Sequence, residues 1–342
     1  MSFIATTITA FEGAPLPDLV RRSAIDFLVA GARRRLNPAP DVEREFARQM
    51  ALRPIAEHTD AANAQHYELP AAFFEACLGP QLKYSCAYFG DGANDLGTAE
   101  EMALSETALH ADLQDGQKIL ELGCGWGSFS LWMAQALPKA TITCVSNSRS
   151  QGRFIRQKAA RAGLSNLQVV TADMNGFTPA GTFDRIVSVE MFEHMANWRA
   201  LLERARSWLT PEGRLFVHVF THRTTPYRFD LDDEADWIGR YFFSGGVMPS
   251  HGLIGQFPDL FEVEQDWRWS GRHYQRTAEA WLENYDRNQA VIRPILEEVY
   301  GADAALWRRR WRLFFLATSG LFGHRHGEEW GVSHYRLRPV PA

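Results

Sequence analysis

The sequence predicts an α/β fold built on a mostly parallel sheet with helices on both faces. Two observations carry that expectation. Between residues 100 and 222, short runs rich in Val and Ile alternate with helical patterns of about ten to fifteen residues. Strands of that composition, separated by such helices, mean a sheet covered on both faces. The first of them leads straight into a glycine-rich turn, "LELGCGWGS", and then into a helix.

Residues 1–70 read as a helical extension. "PDLVRRSAIDFLVAGARRRLN" places Leu19, Val20, Ile25, Phe27 and Leu28 at helical spacing, and "DVEREFARQMALRPIAEH" reads as a second helix. Arg33, Arg34 and Arg35 close the first helix, where cations complement the helix dipole. A basic end of this kind also suits contact with anionic lipid.

Residues 71–222 read as the sheet core. "KILELG" is a strand and "SFSLWMAQAL" a helix; "ATITCVS" is a strand and "SQGRFIRQKAARAGL" a helix. "LQVVTAD", "FDRIVSV" and "GRLFVHVF" are further strands, with the helix "NWRALLERARSWL" before the last. Residues 223–342 are aromatic-rich and mostly helical, with "AEAWLENYDRNQAVIRPILEEVY" and "DAALWRRRWRLFFLATSGLF". The strand-like pieces "FEVEQDWRW" and "WGVSHYRLRPV" flank them. This pattern predicts a sheet edge carrying a helical insertion that lies over the site as a lid. Ligands of such sheets bind at the carboxyl ends of the strands.

Composition narrows the function. The 342 residues are 46% hydrophobic and 23% charged, with a net charge of −5, which leaves no electrostatic footprint for nucleic acid. The four cysteines form no CxxC pair and read as reduced thiols, which fits a cytoplasmic location. The first residues show no basic start followed by an apolar core, so no signal peptide is expected. No apolar run approaches the ~18 residues that span a bilayer. His324 and His326 of "HRHGEEW" read as surface residues in a glycine-flanked loop, and no metal is expected.

The first site signal is the loop itself. Gly123, Gly125 and Gly127 follow a strand and open a helix, where backbone N–H groups are free for a ligand. A dinucleotide loop reads GxGxxG, with an acid at the end of the next strand. Here the spacing is GxGxG and the next strand ends "CVSNSRSQ", with no acid. That argues against NAD and towards S-adenosylmethionine. The second signal is "SVEMFEHM", which sets Glu190, Glu193 and His194 directly after a strand. Two acids and a histidine on one helical face suit a site better than a cap.

"HYELPAAFFEACLGPQLKYSCAYF", "LELGCGWGS", "SVEMFEHM", "FVHVFTHR", "YFFSGGVMPS", "GRHYQRTAEAWL" and "GEEWGVSHY" occur in this order. Together they resemble the cyclopropane fatty acid synthase superfamily of S-adenosylmethionine-dependent methyltransferases. The full-length pattern is most similar to the coclaurine N-methyltransferase branch. The likeness runs from about residue 60 to the end and implies a Rossmann-like class I methyltransferase sheet. It implies that Tyr84 and Ser85 hold the methionine end of the cofactor, with Gly123 and Gly125 beneath. Ser146, Asn147 and Gln151 replace the ribose acid, Asp173 and Met174 flank the adenine, and Tyr67 lies near the methyl donor. Aromatic faces and neutral oxygens are what a sulfonium cation prefers.

The resemblance implies two chemistries. In the lipid branch an alkene attacks the methyl group, and bound bicarbonate removes a proton from the resulting carbocation. Its ligands would be Cys86, Glu193, His218 and Tyr274. In the amine branch Glu190, Glu193 and His194 free the lone pair of a secondary amine. The lipid enzymes usually have Gly where this chain has Glu190. Because all four bicarbonate positions are filled, the sequence favours carbon methylation of an unsaturated fatty acyl chain. N-methylation of a cyclic aromatic-bearing amine is the alternative. A module that only senses a sulfonium would need neither Glu193 nor His218. The expected partners are a hydrophobic small-molecule or lipid acceptor, a peripheral membrane contact and a second copy in a homodimer.

Overall fold

The computed structural model describes residues 12, 16–36, 38–57, 69–229 and 237–341. From Asp18 onward, two N-terminal helices are described, α1 (Asp18–Arg35) and α2 (Val42–Met50). The second is shorter than its sequence pattern suggests. Pro54 lies just beyond it, and the residue before a proline is driven out of helical geometry. Then follow α3 (Ala71–Cys77) and α4 (Leu96–His110), whose N-cap Asp95 accepts from the Thr98 N–H at 2.9 Å.

The sheet core is β1 (Lys118–Leu122), α5 (Ser128–Ala136), β2 (Thr141–Ser146), α6 (Arg149–Arg161), β3 (Leu167–Thr171), β4 (Phe183–Val189), α7 (Trp198–Ser207) and β5 (Leu209–His222). A short hairpin pairs β6 (Tyr227–Arg228) with β7 (Val247–Met248), and α8 (Trp237–Tyr241) lies between them. The chain ends with β8 (Phe261–Ser270), α9 (Gly271–Arg287), α10 (Gln289–Tyr300), α11 (Ala304–Gly323) and β9 (Trp330–Pro339). The run expected as one helix, 278–300, is two. The break falls at Asn288, whose amide donates to Ala76 O at 2.7 Å and ties the corner to α3.

The seven-stranded sheet has the order β3-β2-β1-β4-β5-β9-β8. β1 to β5 pair in parallel, and β9 enters antiparallel between β5 and β8. The chain builds outward from β1 to β3, then returns to place β4 on the other side of β1. The switch point therefore lies between β1 and β4, and their carboxyl ends carry the glycine loop and "EMFEH". Four of the five β1 residues are buried, and Ile186 and Val187 of β4 are fully buried.

The three segments read from the sequence are interleaved. α1 packs on α11, with Arg312 bridging Asp18 at 2.6 Å and Asp286 at 2.8 Å. α3 packs on α9 and α10, and its Phe73 and Phe74 join Trp281, Tyr285 and Trp311 in one aromatic core. α2 lies against α7 on the far side. Arg33 pairs with Glu329 at 3.0 Å. Among the described residues, no helix is long and apolar enough to cross a membrane.

Candidate active site

The glycine loop has the backbone its composition requires. Gly123, Gly125 and Gly127 stand at φ 77°, 50° and 81°, left-handed values that glycine adopts freely. A Cβ on Gly123 would strike Met191 at 2.7 Å, whereas one on Gly125 would meet no atom of the described residues within 4 Å. Gly125 thus faces open cleft. Two connected hollows, of about 770 and 570 Å³, meet at Gly123, Gly125, Gln151 and Glu190.

Most of the expected cofactor residues lie on these walls. Ser146, Asn147, Gln151, Asp173 and Met174 border the larger hollow, and Tyr84 and Ser85 the smaller. Ser146 Oγ donates to Gln151 Oε1 at 2.6 Å, which aims the Gln151 amide. The buried Gln151 Nε2, Trp126 Nε1 and Ser128 Oγ have no hydrogen-bond partner among the described residues. Buried polar atoms are normally satisfied, so these three suit a polar ligand. Neutral donors, aromatic faces and the absence of an acid at the end of β2 fit S-adenosylmethionine. Tyr67 lies outside the described residues.

The catalytic candidates divide into two groups. Glu190 follows β4 at φ 46°, and its N–H donates to His218 O at 2.8 Å. That turn carries its carboxylate inward. Oε1 accepts from Cys86 N at 2.9 Å and faces His218 Nε2 at 3.2 Å, while Oε2 accepts from Tyr274 Oη at 2.6 Å. Cys86 and His218 are fully buried and Tyr274 nearly so. Burial raises the Glu190 pKa, and the Lys83 cation, the Cys86 N–H and the Tyr274 hydroxyl oppose that rise.

Here the structure corrects the sequence. Glu193 was expected among Cys86, His218 and Tyr274, and Glu190 is the carboxylate hydrogen-bonded there. Glu193 lies three residues on, in the 3-10 turn Phe192–His194, and does not border either hollow. Its Oε2 is buried with no hydrogen-bond partner among the described residues, and burial followed by the Glu190 charge pushes its pKa well up. His194 does border the larger hollow, stacked on Phe243 with ring centroids 5.1 Å apart. Burial lowers its pKa to about 4, and the Glu190 charge acts in the opposite direction.

A family model described as mycolic acid cyclopropane synthetase matches residues 56–326. The chain belongs to this family. It is 37% identical to the (S)-coclaurine N-methyltransferase of Thalictrum flavum subsp. glaucum, over 82% of this chain and 79% of that protein. It is 29% identical to the cyclopropane-fatty-acyl-phospholipid synthase of Escherichia coli K12, over 78% of this chain and 66% of that protein. Its fold matches a crystal structure of coclaurine N-methyltransferase bound to N-methylheliamine and SAH. There the TM-score is 0.93 and the identity 32%, with 98% of this chain and 100% of that one covered. The protein is an S-adenosylmethionine-dependent methyltransferase with a class I methyltransferase fold.

Three polar residues of this methyltransferase escaped the sequence reading. Lys83 is buried and donates to Ser85 Oγ and Cys86 O, each at 2.6 Å, behind Glu190. The sequence holds it inside "LKYSCAYF", but nothing local marks it as buried. Glu121 of "LELGCG" is buried beside the smaller hollow and accepts from Ser130 Oγ; burial raises its pKa to about 7. Glu57 borders the larger hollow and pairs with Arg228 at 2.6 Å.

Proposed function

We propose that this methyltransferase N-methylates a cyclic amine bearing an aromatic ring. The observation that carries the reading is the Glu190 carboxylate. It accepts from Cys86 N and Tyr274 Oη and faces His218 Nε2. These are three of the four residues assigned to bicarbonate. A carboxylate and a bicarbonate present the same planar anionic O–C–O, so a side chain tethered at residue 190 makes a bound bicarbonate redundant. At φ 46° the backbone there suits glycine, yet this chain carries the strain of a glutamate. The greater likeness to the plant amine enzyme supports the same reading. Carbon methylation of a fatty acyl chain, favoured from the sequence, is set aside for that reason.

Gly123, Gly125, Tyr84, Ser85, Ser146, Asn147, Gln151, Asp173 and Met174 would hold S-adenosylmethionine. When bound, it supplies an electrophilic methyl group on a sulfonium. The chain's own residues prepare the acceptor. An alkyl ammonium has a pKa near that of lysine, ~10, and has no lone pair until a proton leaves. The Glu190 carboxylate pairs with that cation. His194, neutral on the cleft wall, takes the N–H proton, and the Glu190 charge raises its basicity. Glu193 supplies a second carboxyl group in the same turn. The segment after α8, with Phe243 against His194 and Ser244 on the wall, forms the start of an aromatic lid that excludes water.

The test offers methyl-labelled S-adenosylmethionine with tetrahydroisoquinoline and, in parallel, with vesicles of unsaturated phospholipid. Label is expected in the amine, at a rate indifferent to added bicarbonate. Label in the lipid with stimulation by bicarbonate would overturn the reading.

A further inference from the structure

Behind Glu190 runs an unbroken line of imidazoles that the methyl transfer itself does not use. His218 Nε2 lies 3.2 Å from Glu190 Oε1. His218 Nδ1 lies 2.8 Å from His334 Nε2, and His334 Nδ1 lies 2.8 Å from His110 Nδ1. His110 Nε2 lies 3.4 Å from Glu106 Oε2, whose side chain is 37% exposed. His218 and His334 are paired residues of β5 and β9, and His110 ends α4. Both ladder histidines are fully buried, and their path is jacketed by rings. Trp267 stacks on His110 at 3.9 Å, and Trp269 lies 4.2 Å from His334. The charged and titratable groups facing the line are Lys83, Cys86 and Tyr274 at the inner end, with Arg336 and Glu106 at the outer end.

We propose that His218, His334 and His110 form a proton path through which Glu190 exchanges its proton for a cationic ligand. Burial of all three rings keeps them neutral, so each has one N–H and one lone pair. Only two arrangements satisfy all three contacts from Glu190 to His110. In the first, Glu190 is a protonated acid donating to His218 Nε2. His218 Nδ1–H then donates to His334 Nε2, His334 Nδ1–H donates to His110 Nδ1, and His110 Nε2–H faces Glu106. Four hops convert it to the second. The Glu190 proton passes to His218 Nε2 and the Nδ1 proton of His218 to His334 Nε2. The Nδ1 proton of His334 passes to His110 Nδ1, and the Nε2 proton of His110 leaves to Glu106 and solvent. Glu190 is then a carboxylate accepting from His218 Nε2–H.

The purpose follows from electrostatics. A buried acid without a cation favours its neutral form, and a cation in the same cleft requires an anion beside it. The ligand that brings the cation also fills the cleft and blocks that exit for the proton. The line of imidazoles leaves from the other side. When the cation departs, the same hops in reverse return one proton, so the path resets without any ring turning over.

The choice of an amine as the cation rests on the proposed N-methylation; the path itself does not. The probes are N,N-dimethyl-tetrahydroisoquinolinium, which carries no N–H, and S-adenosylmethionine, a sulfonium. Any proton released on binding the first comes from the protein. Stopped-flow mixing with a pH indicator should show release in step with binding for the unaltered chain. In His334→Gln, which keeps hydrogen bonds but cannot hand a proton across, cation affinity should hold within a few-fold and release should slow about a hundredfold. His110→Gln, nearer the surface, should slow it likewise and serves if His334→Gln does not fold. No release with either probe, or release in both variants as fast as in the unaltered chain, would overturn the path. Failure of the quaternary amine to bind would instead count against the acceptor reading, and the sulfonium titration would still judge the path.

Discussion

Glu190 and His194 lie four residues apart yet meet opposite surroundings. One is turned inward onto Cys86 and Tyr274, and the other faces the cleft against Phe243. Their separation is set by the left-handed backbone at residue 190, a conformation worth roughly 1–3 kcal/mol of local strain. Strain of that kind persists where the surroundings enforce a geometry, and three contacts enforce it here. His194→Ala should lower kcat on the amine by about 10²–10⁴ with S-adenosylmethionine affinity retained, because a positioned base contributes that much. The residual rate should rise with pH as the free amine becomes available. Glu193→Gln replaces an acid that burial and the Glu190 charge hold protonated, so single-turnover kinetics should stay within a few-fold of the parent; a fall of ~10² or more would place its charge in the mechanism. Unchanged turnover in His194→Ala would remove that residue from the mechanism.

At the scale of elements, the strand β1, the glycine turn and α5 act as one device. β1 is buried and rigid, and the turn presents its amides where α5 begins. Gly125 is the position whose added methyl would enter the cleft instead of the protein. Gly125→Ala puts a Cβ at φ 50°, which costs about 1–2 kcal/mol in a left-handed conformation. Melting should therefore fall by only about 1–3 °C, since an unfolding entropy of ~2.1 cal/mol/K per residue makes 1 kcal/mol worth about 1.4 °C in a chain of 342 residues. Calorimetry should nonetheless show S-adenosylmethionine affinity reduced about tenfold or more, a loss of ~1.4 kcal/mol. Affinity unchanged within error would mean that the ligand does not approach this turn.

Across the whole molecule, buried ionisable groups pull stability in opposite directions with pH. Burial raises the pKa of Glu100 and Glu121 to about 7 and lowers that of His110, His194 and His273 to about 4. For the two acids, the stabilising protonated form is present at low pH and is lost as pH rises from about 4.5 to about 7. For the three histidines the stability is present above about 6.5 and is lost as pH falls towards about 4. Between these limits the two sets offset one another. Glu121→Gln removes one acid from the balance. Relative to the parent, its urea midpoint should improve as pH rises from about 4.5 to about 7, by up to roughly 3 kcal/mol in free energy. A difference that does not change with pH would show that Glu121 is not buried as a neutral acid.

The sequence by itself determined the strands, the glycine turn and the family. Those signals are local: apolar runs mark strands buried on both faces, and a glycine cluster marks a turn only glycine enters freely. "FDRIVSV" reads as β4 from its seven residues alone, and the flanking strands β8 and β9 read as well. The glycine turn and the lack of an acid after β2 were legible for the same reason, whereas the other residues that border the hollows, Tyr84 and Ser85 among them, were read from the likeness to the family. Tertiary structure decided which carboxylate meets Cys86, His218 and Tyr274. Glu190 and Glu193 look equivalent in "SVEMFEHM", and only the backbone turn at residue 190 and the partners brought from β5 and α9 distinguish them. It also decided the imidazole line, because His110, His218 and His334 are more than a hundred residues apart in sequence. Sheet register alone sets His218 beside His334, and the packing of α4 on that face delivers His110. Sequence patterns report which face a residue prefers, whereas contacts between distant segments arise only when the whole core is closed.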